Sequence, residues 1–256
     1  MPLELLHAEG VADARVGAAL ATRAGGASSG PFSSLNLGTA VGDAADAVAE
    51  NRRRFAAALD ARPVFLRQLH GTRVVRLTAR DWALGAPIEA DAAFTTEPGV
   101  ACTVQVADCL PVLLAAPQGR GVAAAHAGWR GLAGGVIDAS VNALCEATHC
   151  GPEELRAWLG PCIGPRQFEV GADVLAASGA ATDGSDPLRF VLGARADGSP
   201  RWLANLPQLA RDRLAALGLT HIDGGAWCTV EDDSRFFSFR RDGVTGRHAA
   251  AIWLRG

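Results

Sequence analysis

The chain has 256 residues, 49% of them hydrophobic, with a formal net charge of −3 at pH 7. That length holds one large domain or two small ones around a sizeable core, and the near-neutral balance leaves no basic footprint for nucleic acid or an anionic membrane surface. Every basic side chain is arginine and tyrosine is absent, which excludes a Schiff-base lysine, a phosphate-loop lysine and a tyrosine general acid.

In chain order, Met1-Pro-Leu-Glu-Leu-Leu lacks the basic start and long apolar stretch of a signal peptide, and no segment is long and apolar enough to span a bilayer. The six cysteines are dispersed rather than arranged as a small disulfide framework. A cytoplasmic protein with free or metal-bound thiols is expected. Thr22–Gly26 and Ser28–Phe32 form a polar, glycine-rich loop leading into Ser34–Thr39. Asp43 is expected to cap a helix over 44–59. Val64–His70 reads as a strand ending at a histidine, with Val74–Leu77 continuing the sheet. Val100–Ala107 is a valine-rich strand. Pro111–Ala116 and Gly121–Ala125 form a hairpin around Pro117-Gln-Gly-Arg, which brings Cys109 and His126 to the same open end. Leu132–Ala147 has helical spacing, with Val136, Ile137, Val141 and Leu144 on one side. Its start follows the His126 loop, where backbone N–H groups suit an anion. A strand at Leu155–Leu159, the Gly160-Pro-Cys-Ile-Gly-Pro loop and a helix near Leu206–Leu217 follow. Ser178–Asp186 reads as a surface loop. Phe236–Gly243 and His248–Leu254 read as two strands around a turn. No internal repeat is evident.

The chemistry gathers at His70, Cys109 and His126, each expected at a strand end beside a turn. Three protein ligands with an open fourth position is the arrangement of catalytic zinc. Thiol and imidazole also make a nucleophile–base pair, and a buried cysteine with two satisfied loop histidines is the structural alternative. Other sites are ruled out. Gly119-Arg-Gly-Val-Ala-Ala precedes a strand and is a hairpin turn rather than a dinucleotide fingerprint. Cys145, His149 and Cys150 lack a second ligand pair. Gly128 stands where the zinc deaminases carry glutamate. The single methionine is Met1 and no H-x-H pair exists among six histidines, so a multicopper oxidase is hard to build.

The sequence resembles the YfiH-like family, historically labelled laccase-domain or polyphenol oxidase proteins. The likeness runs through Thr22-Arg-Ala-Gly-Gly, Ser34-Leu-Asn-Leu-Gly, Gly42-Asp43, Asn51-Arg52, Gln68-Leu-His-Gly and Ala107-Asp-Cys-Leu-Pro-Val. It continues through Ala125-His-Ala-Gly-Trp-Arg-Gly, Leu159-Gly-Pro-Cys-Ile-Gly-Pro, Phe168-Glu-Val-Gly, Cys228-Thr, Phe236-Phe-Ser-Phe-Arg-Arg-Asp-Gly and Thr245-Gly-Arg. Val106 stands where threonine is usual and Phe239 where tyrosine is usual. The resemblance implies an α/β fold, one domain over 1–256 with a mixed β-sheet and flanking helices, shared with the cytotoxic necrotising factor deamidases. It implies zinc on His70, Cys109 and His126, and phosphorolysis of adenosine, inosine, guanosine and methylthioadenosine, with adenosine deamination as a second activity.

Within that expectation, Cys109, His126 and Asp108 are the catalytic candidates, Asp108 as proton carrier or as a turn-capping aspartate. Arg23 and Arg241, beside glycine-containing loops, are the phosphate candidates, with Asn36 and Arg130 as further substrate contacts. The expected partners are purine nucleosides and phosphate, with no nucleic acid and no membrane, and a monomer is expected. Three other readings stay open: a Cys109–His126 amidohydrolase removing wrongly incorporated serine from peptidoglycan precursors, a copper polyphenol oxidase, and a metal-stabilised binding protein without turnover.

Overall fold

A computed structural model describes residues 3–83, 88–195 and 197–256. Met1 therefore lies outside the described residues. The fold is mixed α/β, as expected, with the strands divided between two six-stranded sheets and a small three-stranded one. The first large sheet runs Leu5–His7, Val16–Ala21, His248–Leu254, Val100–Val106, Arg62–Arg67, Ile88–Glu89. The second runs His221–Gly224, Arg156–Leu159, Leu110–Ala115, Val122–Ala127, Ala92–Thr95, Val74–Arg76. Both mix parallel and antiparallel pairs.

The strands carry long apolar runs because both faces of each sheet are covered. Along His248–Leu254, Ala250, Ile252 and Leu254 face a core shared with the second sheet's Leu113, Val122 and Ala124. The alternate Ala249, Ala251 and Trp253 pack with Phe55 and Leu59 of the Ala45–Leu59 helix. Leu110, Val112 and Leu114 turn the other way, onto Val136, Ile137, Val141 and Leu144 of the Val136–Thr148 helix. The central layers are thus helix, sheet, sheet, helix. Among the described residues no helix is long and apolar enough to cross a membrane, and all six cysteines are free.

The hairpin expectation holds, with strands at Leu110–Ala115 and Val122–Ala127. Five local expectations change. Asp43 is not the helix cap; Ala44 occupies that position, while the Asp43 carboxylate accepts from Ser28 Oγ at 2.6 Å and Asn36 Nδ2 at 2.9 Å, tying the glycine-rich loop together. The strand before His70 ends at Arg67. Val74–Arg76 joins the second sheet rather than continuing the first. The expected 132–147 helix is two helices, Trp129–Gly134 and Val136–Thr148, because Gly135 adopts φ 97° and closes the first with bonds to Gly131 and Leu132 carbonyls. Phe236–Gly243 is not a strand. Ser238 accepts from the Arg241 N–H and starts a one-turn helix, Phe239–Asp242.

Candidate metal centre and its cleft

The hairpin supplies two of the three donors. Leu110 pairs opposite Ala127 and Pro111 opposite His126, so Cys109 and His126 emerge together at the open end. His70 arrives from the loop after the Arg62–Arg67 strand. The donor atoms of His70, Cys109 and His126 lie within 4.8 Å of one another. Cys109 Sγ is 3.8 Å from His70 Nε2, and the two imidazoles meet edge-on with centroids 4.7 Å apart. Gly128 keeps this space open: a Cβ there would lie 2.9 Å from Cys109 Sγ and 3.1 Å from His70 Cδ2.

Asp91, 1% exposed, organises the group. Its carboxylate accepts the N–H groups of Leu69, His70 and Gly71 at 3.1, 2.8 and 2.7 Å. These bonds hold His70 at φ 60°, a conformation that costs a non-glycine residue energy. The same carboxylate lies 2.9 Å from His126 Nδ1, which fixes the ring and leaves Nε2 as its free donor. Burial opposes charge on Cys109, but the positive charge of His126 and hydrogen bonds from His126 and His70 outweigh it and bring the thiol down to about 6. Burial also opposes charge on His126, yet Cys109 and Asp91 raise it to about 9. Without metal, the two form a thiolate–imidazolium pair.

The donors suit a borderline-soft cation: two imidazole nitrogens and one sulfur, with one histidine anchored by a carboxylate. Among the described residues no further His, Cys, Asp or Glu joins them, and Cys145, His149 and Cys150 form no such group. The centre opens into a cleft of about 1290 Å³. Arg52, Arg53, Arg67, Arg130, Arg240 and Arg247 line it, against Asp81 and Asp108, so its field favours anions.

The structure distributes the other candidate residues unevenly. Asp108 borders the cleft at φ 92°, but its oxygens accept from Thr229 Oγ1 and Arg240 N, both at 2.6 Å; it anchors the Cys109 turn to the 229–240 segment. Arg130 lines the cleft with its guanidinium 4.2 Å from the Trp129 ring centre. Arg23 and Arg241 lie outside the lining. Arg23 bonds the carbonyls of Ser33 and Asp233 and covers Phe237. Arg241 bonds the carbonyls of Thr229, Val230 and Phe236 and pairs with Asp242. Their guanidiniums hold loops together, away from the cleft lining that the phosphate expectation would place them in. Asn36 is also outside the lining, fully buried and bonded to Gly38, Asp43 and Arg247.

Asp91 and Arg247 are the residues that sequence reading misses. Asp91 carries a signal, a lone carboxylate entering the apolar run Ala90–Phe94. Arg247 lies in the Thr245-Gly-Arg motif, and nothing local marks it as facing the cleft. Its Nη1 bonds the carbonyls of Thr245 and Gly246, and it makes no ion pair among the described residues. Burial lowers its pKa, with Cys109 and Asp108 pulling the other way.

Comparison with known proteins agrees with this geometry. A family model described as multi-copper polyphenol oxidoreductase laccase matches residues 17–255. A purine nucleoside phosphorylase of Pseudomonas aeruginosa is 47% identical over 244 residues, covering 95% of this chain and 96% of its own. Purine nucleoside phosphorylase YfiH of Escherichia coli is 46% identical over 241 residues, covering 93% and 94%. A Neisseria meningitidis protein of known structure superimposes with a TM-score of 0.88 at 43% identity, over 98% of this chain and 99% of that one. YlmD from Geobacillus stearothermophilus gives 0.86 at 35% identity, over 95% and 93%. Matched along nearly its whole length by relatives and by the family model alike, the chain belongs to the YfiH-like, laccase-domain family.

Proposed function

We propose that the protein is a zinc-dependent purine nucleoside phosphorylase. The observation that carries this reading is the convergence of His70, Cys109 and His126 at the base of an arginine-lined cleft, in a chain whose near relatives bear that name. Zinc is preferred to the copper of the family description because the sequence offers no axial methionine other than Met1 and no H-x-H pair. Zinc bound there would supply a Lewis acid that polarises a substrate oxygen.

The remaining work falls to the chain. Breaking the ribose–purine bond with phosphate passes through a cationic sugar, so the cleft must hold a phosphate dianion beside it. Arg247 and Arg130 do so, since both line the cleft and neither is paired with a carboxylate among the described residues. Phe239, 58% exposed on the cleft wall, offers a stacking face for the purine. Asp108 is a positioning residue that fixes the Cys109 turn. Asp91 keeps His126 and the His70 turn in place. Adenosine, inosine, guanosine and methylthioadenosine are the substrates this reading covers, with adenosine deamination as a second outcome at the same centre. The test is release of hypoxanthine from inosine by zinc-loaded protein. Release should depend on added phosphate and yield ribose 1-phosphate. Release at the same rate without phosphate would overturn the reading.

A second reading has its own observation. Asp91, His126 and Cys109 form an ordered carboxylate–imidazole–thiol series, the arrangement that activates a cysteine nucleophile. In an amidohydrolase the thiolate attacks the amide carbonyl, imidazolium gives its proton to the departing amine, and water then cleaves the thioester. Serine release from a peptidoglycan precursor, insensitive to phosphate, would favour this reading over the first.

A further inference from the structure

The cleft is larger than the proposed reaction requires. Sites for drug-sized ligands run to roughly 300–1,000 Å³, and this one, at about 1290 Å³, exceeds that range. Its lining also includes Arg52, Phe65 and Trp82.

Three consecutive arginines on the Ala45–Leu59 helix have different fates. Arg53 and Arg54 both pair with Glu50. Arg52, which lines the cleft beside Arg53, has no such partner. Its Nε donates to the Leu37 carbonyl at 2.9 Å, and its guanidinium stacks 3.8 Å from the Phe65 ring centre. Among the described residues no carboxylate pairs with it, and no other protein acceptor takes its remaining N–H groups. Half-buried, it meets enough desolvation to lower its pKa to about 10, and it is still a cation at neutral pH. A partly desolvated guanidinium held flat on a ring, with its Nη groups free, is an anion site in waiting. Arg52 lines the same cleft as His70, Cys109 and His126. Phe65 beneath it and His70 are five residues apart, so their Cα atoms are separated by no more than about 18 Å.

We propose that Arg52 forms a second anion position in the cleft, for a phosphate carried on the nucleoside itself, so that purine nucleoside monophosphates are ligands of this site. The proposal rests on the nucleoside reading above, in which the ligand occupies the cleft that Arg52 lines together with the metal donors. Inorganic phosphate shares the relevant chemistry and is separated from it by experiment.

The test is calorimetric titration of the zinc-loaded protein, in phosphate-free buffer, with inosine, inosine 5′-monophosphate and inorganic phosphate. Wild type should bind the monophosphate about tenfold or more tightly than inosine, the yield of one charge-assisted contact. Arg52→Met, which keeps an apolar stem on Phe65, should erase that preference. Arg52→Lys, which keeps the charge without the planar fork, should retain part of it. Circular dichroism of the Met variant checks the fold. Equal affinity of wild type for inosine and its monophosphate would overturn this proposal and leave the nucleoside reading standing. Loss of inorganic phosphate binding in Arg52→Met, with no change in the preference, would overturn it by making Arg52 the cosubstrate site. Binding of neither nucleoside nor nucleotide would overturn both.

Discussion

Two buried imidazoles in this molecule reach opposite charge states. His126 is 3% exposed and His248 is not exposed at all. His248 accepts the Phe237 N–H on Nε2 at 2.7 Å, and its Nδ1 lies 3.1 Å from the Ala21 carbonyl. Both partners are backbone groups, so burial dominates and pushes it down to about 3. His126 faces a thiol and a carboxylate, and these anions raise it to about 9 against the same burial. Burial therefore does not decide what a histidine does here; the charge of its partners does. The His248 region ties the Phe236–Phe237 loop to the sheet, whereas the His126 region holds a reactive pair open to a cleft.

The strongest way to break this contrast is Cys109→Ala. It removes both a metal donor and the anion that charges His126. Metal content after dialysis and phosphorolysis should each fall more than about a hundredfold, beyond the usual cost of losing a supporting group; retained metal would mean that His126 and His70 suffice. Next in size is His248→Leu, which orphans a buried N–H and a buried carbonyl. Urea unfolding should show a loss of about 3 kcal/mol, while the refolded variant still takes up metal. Asp91→Asn should cost about ten- to a hundredfold in metal affinity, read by competition with a chelator. A larger unfolding defect than metal defect would reassign Asp91 to the fold.

The smallest effect is in the pH profile, where the two histidines have opposite signs. Between about 3 and 6.5 the unfolded chain carries a proton on His248 that the folded protein refuses. Stability from this group is present above 6.5 and lost as pH falls, by up to about 1.4 kcal/mol per pH unit. In metal-free protein His126 acts the other way, its contribution lost as pH rises from 6.5 through about 9, but the Cys109 thiol, held down to about 6, contributes more over the same range and largely offsets it. Unfolding measured across pH should show a shallower acid slope in His248→Leu and an unchanged profile above pH 6.5. A His248→Leu profile that also changes above pH 6.5 would dissolve the contrast.

Much of the site is legible from residue order. The Pro117–Arg120 turn sets the hairpin, the hairpin sets which residues share an end, and so Cys109 and His126 meet. Apolar runs such as Leu110–Ala115 announce strands covered on both faces. The arginines are not legible in this way. Arg23 and Arg247 both lie next to glycine-containing loops, yet one bonds carbonyls behind the sheet and the other lines the cleft. Which way a long side chain turns depends on acceptors brought from distant segments, such as Asp233 for Arg23. The Phe236–Gly243 segment misleads for a related reason. Its cluster of aromatics looks like a strand, but Ser238 caps a turn, Phe236 and Phe237 are buried by long-range packing, and Phe239 is exposed. Gly134-Gly135 likewise hides a helix break that only the positive φ of Gly135 reveals.

The pairing of Pro111 with His126 has one more consequence. His126 shares its face of the strand with Val122 and Ala124, toward the space between the sheets. A slip of the hairpin by one residue would turn that whole row around, sending the imidazole toward the helix layer and away from Cys109. The three donors therefore come together in only one alignment of these strands. A metal ion held by all three donors would proofread strand alignment, since it would add its binding energy to the correctly zipped hairpin and withhold it from the misaligned ones.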